Sequence, residues 1–288
     1  MLETLLNPKK AERKPWEMLI IGALYAALSV VIADFLFSKN FVFEKHIGML
    51  IVFFTVIFSI PFFFYMIKYE EEKGIRIESE RGLLKEHAKA LAALSFLFIG
   101  YVIAFSVLFI ILPSETVNRN FRTQIETYCI INNRFDIEQC LANPVSGYSK
   151  NVHLNVKEGM NRVAAILSNN FYVLLFSLFF SFLFGAGAIF ILVWNASVIA
   201  AAIGLFARSH ANLLLGFGRY MLHGLPEIAS YFIVALAGGI IGSALIKQEF
   251  GRERFWRILE DSLDLIILGL LVLIISAFIE VFITPIIF

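Results

Sequence analysis

The sequence predicts an all-α polytopic membrane bundle of about seven crossings, with broken or short helices in its C-terminal half. Three observations predict it. Of 288 residues, 59% are hydrophobic and only 16% charged, with 31 phenylalanines. The mean hydropathy is +0.79, whereas a soluble domain is nearer half apolar and a quarter charged. The apolar residues also fall into runs of spanning length, since about 20 helical residues cross the roughly 30 Å hydrocarbon layer. Finally, the mostly apolar stretch 195–242 carries Arg208, His210, Arg219, His223 and Glu227 among its glycines. Ionisable groups at membrane depth are costly unless paired or wetted, so this stretch reads as a bundle interior. A net charge of +1 gives no global attraction for nucleic acid, which is not expected as a partner.

The elements follow in order. Lys9, Lys10, Arg13 and Lys14 precede an apolar run from Trp16 to Phe37. The run is too long for a signal h-region and is expected to stay as an anchor. Its basic flank places the N-terminus in the cytoplasm, and Asp34 is expected to reach the outer headgroups. The second crossing is read at 47–67, with Pro61 expected to kink it. Residues 68–89 hold six Lys/Arg and six Glu and are placed in the cytoplasm. There Glu71, Glu72 and Arg76 spell EExxxR, a pattern of intramembrane proteases, but in a solvated charge run it reads as coincidence. The third crossing is 91–112.

A long segment, 113–169, is placed outside. Phe121, Ile125 and Tyr128 have helical spacing, as do Val156, Met160, Val163 and Leu167. Both cysteines, Cys129 and Cys140, fall in it, and an external location favours a disulfide over two reduced, packed thiols. Two Cys without a nearby His make no zinc site. A crossing at 171–194 is interrupted by Gly185-Ala186-Gly187, small residues that allow close helix contact. Parity then requires 196–224 to cross once, as a broken helix of two short pieces or a helix plus a re-entrant piece. Lys247 to Arg257 holds four basic residues and is placed inside. A last run, 263–288, carries Glu280 and ends outside. This gives three parts: an N-terminal three-helix part (1–112), an external helical loop (113–169) and a C-terminal core (170–288).

Several residues of that core carry a resemblance. Asn170-Phe171, Gly185 and Gly187, Asn195-Ala196, Gly204, His223-Gly224, Glu227-Ile228-Ala229 and Ala237-Gly238 through Gly242 resemble the stage II sporulation protein M family, over about residues 155–288. Ala196 stands where the family has Gly, and Leu222 where it has Pro before the His. The resemblance implies a multi-pass membrane protein without established catalytic activity or cofactor. It also implies a role for the namesake as anchor and organiser of peptidoglycan-degrading partners in engulfment.

The candidate polar core is Asn170, Asn195, Arg208, His210, Arg219, His223, Glu227 and Glu280. His223 and Glu227 are four apart and share a helix face; Pro226 suits the first turn of a helix beginning near Gly224. The pair reads as a structural latch, as a binding or proton-relay pair, or as a metal site, for which two ligands are too few. Arg208 and His210 read either as interfacial residues or as partners of Glu227 or Glu280, and Arg219 is another candidate partner. Gly238 and Gly242 form a GxxxG contact motif, read as packing within the bundle or as a dimer face. Two functions stay open: a non-enzymatic scaffold or assembly factor of the cell envelope, and a transporter or channel-like protein using the site around Asn195–Glu227. No GxSxG or HExxH motif points to a hydrolase. Expected partners are the bilayer, other membrane or envelope proteins, and a second copy in a homo-oligomer.

Overall fold

The computed structural model describes residues 7–76, 80–131, 140, 156–184, 188–210, 213–246 and 253–288, and these contain no strand. The helices are α1 (Pro8–Arg13), α2 (Trp16–Phe37), α3 (Ile47–Arg76), α4 (Glu80–Ile111), α5 (Ser114–Asn120), α6 (Arg122–Ile131), α7 (Val156–Phe184), α8 (Ile189–His210), α9 (Leu213–Ile246) and α10 (Glu253–Phe278). A π turn, Ile279–Ile283, and a final turn α11 (Thr284–Ile287) complete the chain. Seven helices are long and apolar enough to cross a membrane: α2, α3, α4, α7, α8, α9 and the run through α10 and α11. The protein is an all-α polytopic bundle.

Burial ranks the helices. The apolar window of α9 is 78% buried and that of α7 only 22%, so α9 is the central helix and α7 is largely lipid-facing. Because lipid tails are as apolar as leucine, close packing rather than transfer from water holds such helices together. Glycines permit it at two crossings. A Cβ on Gly22 would collide with the Leu97 carbonyl oxygen, and one on Gly100 with that of Leu19, so α2 and α4 approach backbone to backbone. The second crossing joins α9 to α7. A Cβ on Gly242 would collide with the Phe182 carbonyl oxygen, and one on Gly238 would lie 2.6 Å from that of Leu178. The GxxxG motif is therefore used inside the bundle. Gly204 faces the Phe109 ring on α4. One hydrophobic core runs from Ala11 to Leu273, with Phe232 stacked on Phe63 and edge-on to Phe98.

The external segment read from the sequence contains α5 and α6. Phe121, Ile125 and Tyr128 are buried beneath them. Phe121 sits against Phe105 and Phe109 of α4. Cys129 and Cys140 are joined by a disulfide and both are fully buried. Polar contacts fasten this end to the spans. Arg119 pairs with Asp34 at 2.7 Å, Gln124 Nε2 donates to the Gly48 carbonyl at 3.0 Å, the Tyr128 and Tyr220 hydroxyls lie 3.3 Å apart, and Arg208 donates to the Leu112 carbonyl at 2.9 Å.

The structure corrects the middle of the chain. The broken crossing read at 196–224 is two full helices: α8 has 22 residues and α9 has 34. The crossing read at 171–194 is likewise the end of α7 and the start of α8, and α7 already begins at Val156. Gly185 and Gly187 lie outside the described residues. Between α7 and α8 the sequence is small and uncharged, so hydropathy alone does not show the break; between α8 and α9 the polar stretch from Arg208 to Asn212 reads equally as part of a bundle interior. Pro226 lies inside α9 rather than at a helix start. The irregular backbone sits instead at the π turn containing Glu280. Pro61 is inside α3, which continues through it.

Candidate functional site

A cavity of about 390 Å³ opens between α7, α8, α9 and the π turn, with Ile131 of α6 at its edge. Five of the expected polar residues line it: Asn170, Asn195, His223, Glu227 and Glu280, joined by Asn169 and Tyr220. Glu227 lies roughly 20 Å along α9 from Leu213, well inside a membrane span. Helical periodicity explains the grouping. His223 and Glu227 share one face of α9, while Ile166, Asn169 and Asn170 present one face of α7.

Among the described residues no hydrogen bond joins His223 to Glu227. Each bonds a neighbouring helix or its own. Glu227 Oε1 accepts from the Tyr231 hydroxyl at 2.9 Å, and Asn170 of α7 lines the cavity with it. The Thr284 hydroxyl donates to the Ile279 carbonyl at 3.1 Å, so it accepts from His223 Nδ1 at 3.3 Å. That bond leaves Nε2 as the acceptor of the neutral ring. Pro226 has no N–H for the Leu222 carbonyl; next to it, the His223 carbonyl accepts from the Ser276 hydroxyl at 2.7 Å. Asn195 Nδ2 donates to the Ile191 carbonyl at 2.7 Å. Asn169 Nδ2 donates to Asn170 Oδ1 at 3.1 Å. Glu280, which feels the charge of Glu227, has no hydrogen-bond partner among the described residues.

The cations expected near this site are elsewhere. Arg208 stands over the Phe109 ring, 5.2 Å from its centroid, and reaches the end of α4; it pairs with neither Glu227 nor Glu280. Arg219 is buried over Phe206, 5.6 Å from the ring centroid, close enough to act electrostatically on His223, and does not line the cavity. The His210 side chain lies outside the described residues. No three His, Cys, Asp or Glu side chains among the described residues are placed to hold a metal ion.

A second polar cluster was not expected from the sequence. At the opposite end of the bundle from the disulfide, Lys73 pairs with Glu12 and, at 2.6 Å, with Glu70. Glu70 also bonds His87 Nδ1 at 2.7 Å. The Glu70 side chain is fully buried and the Glu12 side chain nearly so. Burial, reinforced by a hydrogen bond to Glu70, pushes Glu12 up to about 7 against the pull of Lys73. Burial works against the charge of Lys73, but the carboxylates of Glu70 and Glu12 outweigh it and hold Lys73 above its usual range. The four residues are spread over 76 positions, from Glu12 to His87, among many similar charges, so spacing gives no signal for this cluster.

A family model for stage II sporulation protein M matches residues 33–285. The chain belongs to the stage II sporulation protein M family. The match reaches well beyond residues 155–288, where the sequence carries the resemblance, and takes in most of the N-terminal third as well as the C-terminal core. An uncharacterised protein of the archaeon Methanocaldococcus jannaschii is 28% identical over 144 residues, 49% of this chain and 77% of that relative. No solved structure matches.

Proposed function

We propose that this sporulation protein M family member is a non-enzymatic scaffold or assembly factor of the cell envelope. In this reading it sits in the plasma membrane with a cytoplasmic N-terminus and an external C-terminus. The observation that carries the reading is the platform at the disulfide end. A scaffold needs a surface held in fixed register with the membrane. Here α5 and α6 are fastened to α2, α3, α4 and α9 by an ion pair, side-chain hydrogen bonds and buried aromatics, and a disulfide ties the end of α6 to Cys140. The fixed platform exposes Ile130 and Ile131. The basic residues before Trp16 support placing the opposite end in the cytoplasm.

Affinity purification from native membranes tests this reading. The parent is expected to retain other envelope proteins. Arg119→Ala, which breaks the Asp34 pair, is expected to retain fewer. The polar cavity favours a second reading, a transporter or channel-like protein. Absence of any co-purifying envelope protein, together with substrate-dependent flux in liposomes, would overturn the scaffold in favour of that reading.

A further inference from the structure

The hydrogen bonds around the cavity run in one direction. Asn169 gives an N–H to Asn170, Asn195 gives one to a backbone carbonyl, and His223 gives its Nδ1 proton to Thr284. These donors are taken up by the protein itself. Acceptors of the lining residues are left without a bond among the described residues: Asn195 Oδ1, the second nitrogen of His223, and the carboxyl oxygens of Glu280. No Lys or Arg is among the described lining residues. The π turn carries Glu280 into this group; such turns are frequent at functional sites. A cavity of about 390 Å³ is at the small end of sites that take organic ligands.

We propose that this cavity binds the ammonium group of a small amine, taken as a hydrogen-bond donor by Glu280, Asn195 and His223. An ammonium brings three N–H donors and no acceptor, which complements a wall of acceptors. A quaternary ammonium has the charge without the donors and does not meet the same demand. An anion meets two carboxyls and finds no cation in the wall. The ammonium has two available sources, a soluble aliphatic amine and the amine headgroup of a membrane phospholipid. The proposal is independent of the scaffold reading, since a scaffold and a transporter would each accommodate such a site.

The test uses the full chain in phosphatidylcholine nanodiscs, with radiolabelled 1,4-diaminobutane as probe. Saturable binding is expected, displaced by unlabelled diamine and not by tetramethylammonium. Glu280→Gln removes the charge-assisted acceptor and is expected to weaken binding by at least about tenfold. Its melting temperature should match the parent's, since no described residue depends on that carboxyl for a bond. Ala165→Trp fills the cavity from α7 and is expected to abolish binding by a route that leaves the acceptors in place. Nanodiscs containing phosphatidylethanolamine separate the sources. If the lipid is the occupant, native mass spectrometry shows it retained by the parent and lost from both variants, and it suppresses diamine binding. The proposal is overturned if neither amine is retained, if tetramethylammonium competes equally, or if binding survives both substitutions.

Discussion

Glu227 shows how a residue that reads in sequence as latch, relay or ligand is used in the fold. It stands four positions after a histidine and one after a proline, yet its carboxyl accepts from Tyr231 of its own helix. The Tyr231 side chain is fully buried, so its hydroxyl has no water to turn to. Glu227→Ala is expected to destabilise the protein in detergent by about 1–3 kcal/mol, the cost of leaving buried donors unmet. Glu227→Gln, which keeps an acceptor oxygen, is expected to cost less. Thermal unfolding of both variants checks the order. Equal stability of parent and Ala variant would rule out a structural role for this carboxyl. The convergence of Asn170, Asn195, His223, Glu227 and Glu280 was legible because each is a polar residue in a long apolar run, where polarity is expensive. The locations of Arg208 and Arg219 were not, because a long side chain near a helix end has several partners in reach.

Helix existence was equally legible at the element scale, and helix boundaries were not. Apolar runs and flanking charges mark α2, α3 and α4 in sequence. Between α7 and α8 small and apolar residues continue the hydropathy signal, and the polar stretch from Arg208 to Asn212 between α8 and α9 reads equally as a bundle interior, so the sequence predicts one broken crossing where there are two full helices. The ion cluster on α1, α3 and α4 belongs to this scale too, because it fastens α1 to the spans through Glu12 and Lys73. Facing Glu12 from α3 are Glu70 and Lys73, with His87 of α4 behind Glu70; Lys9 and Lys73 lie over Tyr69. The folded protein holds the Glu12 proton up to about 7, above the ordinary value of 4.5. An acid raised in this way contributes stability that is complete below 4.5 and is lost as pH rises through about 7. Docking of α1 is therefore expected to weaken between pH 6 and 8. Hydrogen exchange over residues 8–13, corrected for intrinsic rate, measures it. Protection should fall across that interval in the parent and stay level in Glu12→Gln; a flat profile in the parent contradicts the assignment.

The whole molecule has two different ends joined by a packed interior. At one end α1 and the ion cluster lie beside a basic flank; at the other, polar bonds and packed rings hold α5 and α6 on the spans. Between them α9 touches α7, α8 and α10 and carries the cavity, so the platform and the cavity share one helix and are linked through Tyr128 and Tyr220. The family match over 33–285 covers both the platform and the cavity. The central claim is that the platform is the surface that engages envelope partners. Site-specific photo-crosslinking in intact cells tests it most directly. A benzophenone side chain at the exposed position Asn118 of α5, compared with one at the lipid-facing position Leu24 of α2 and one at Lys14, reports what touches each surface. The account predicts discrete protein adducts from position 118, with partners exposed outside the membrane, and none of these from 24 or 14. Adducts to cytoplasmic proteins at 118, or no protein adduct there at all, would contradict it.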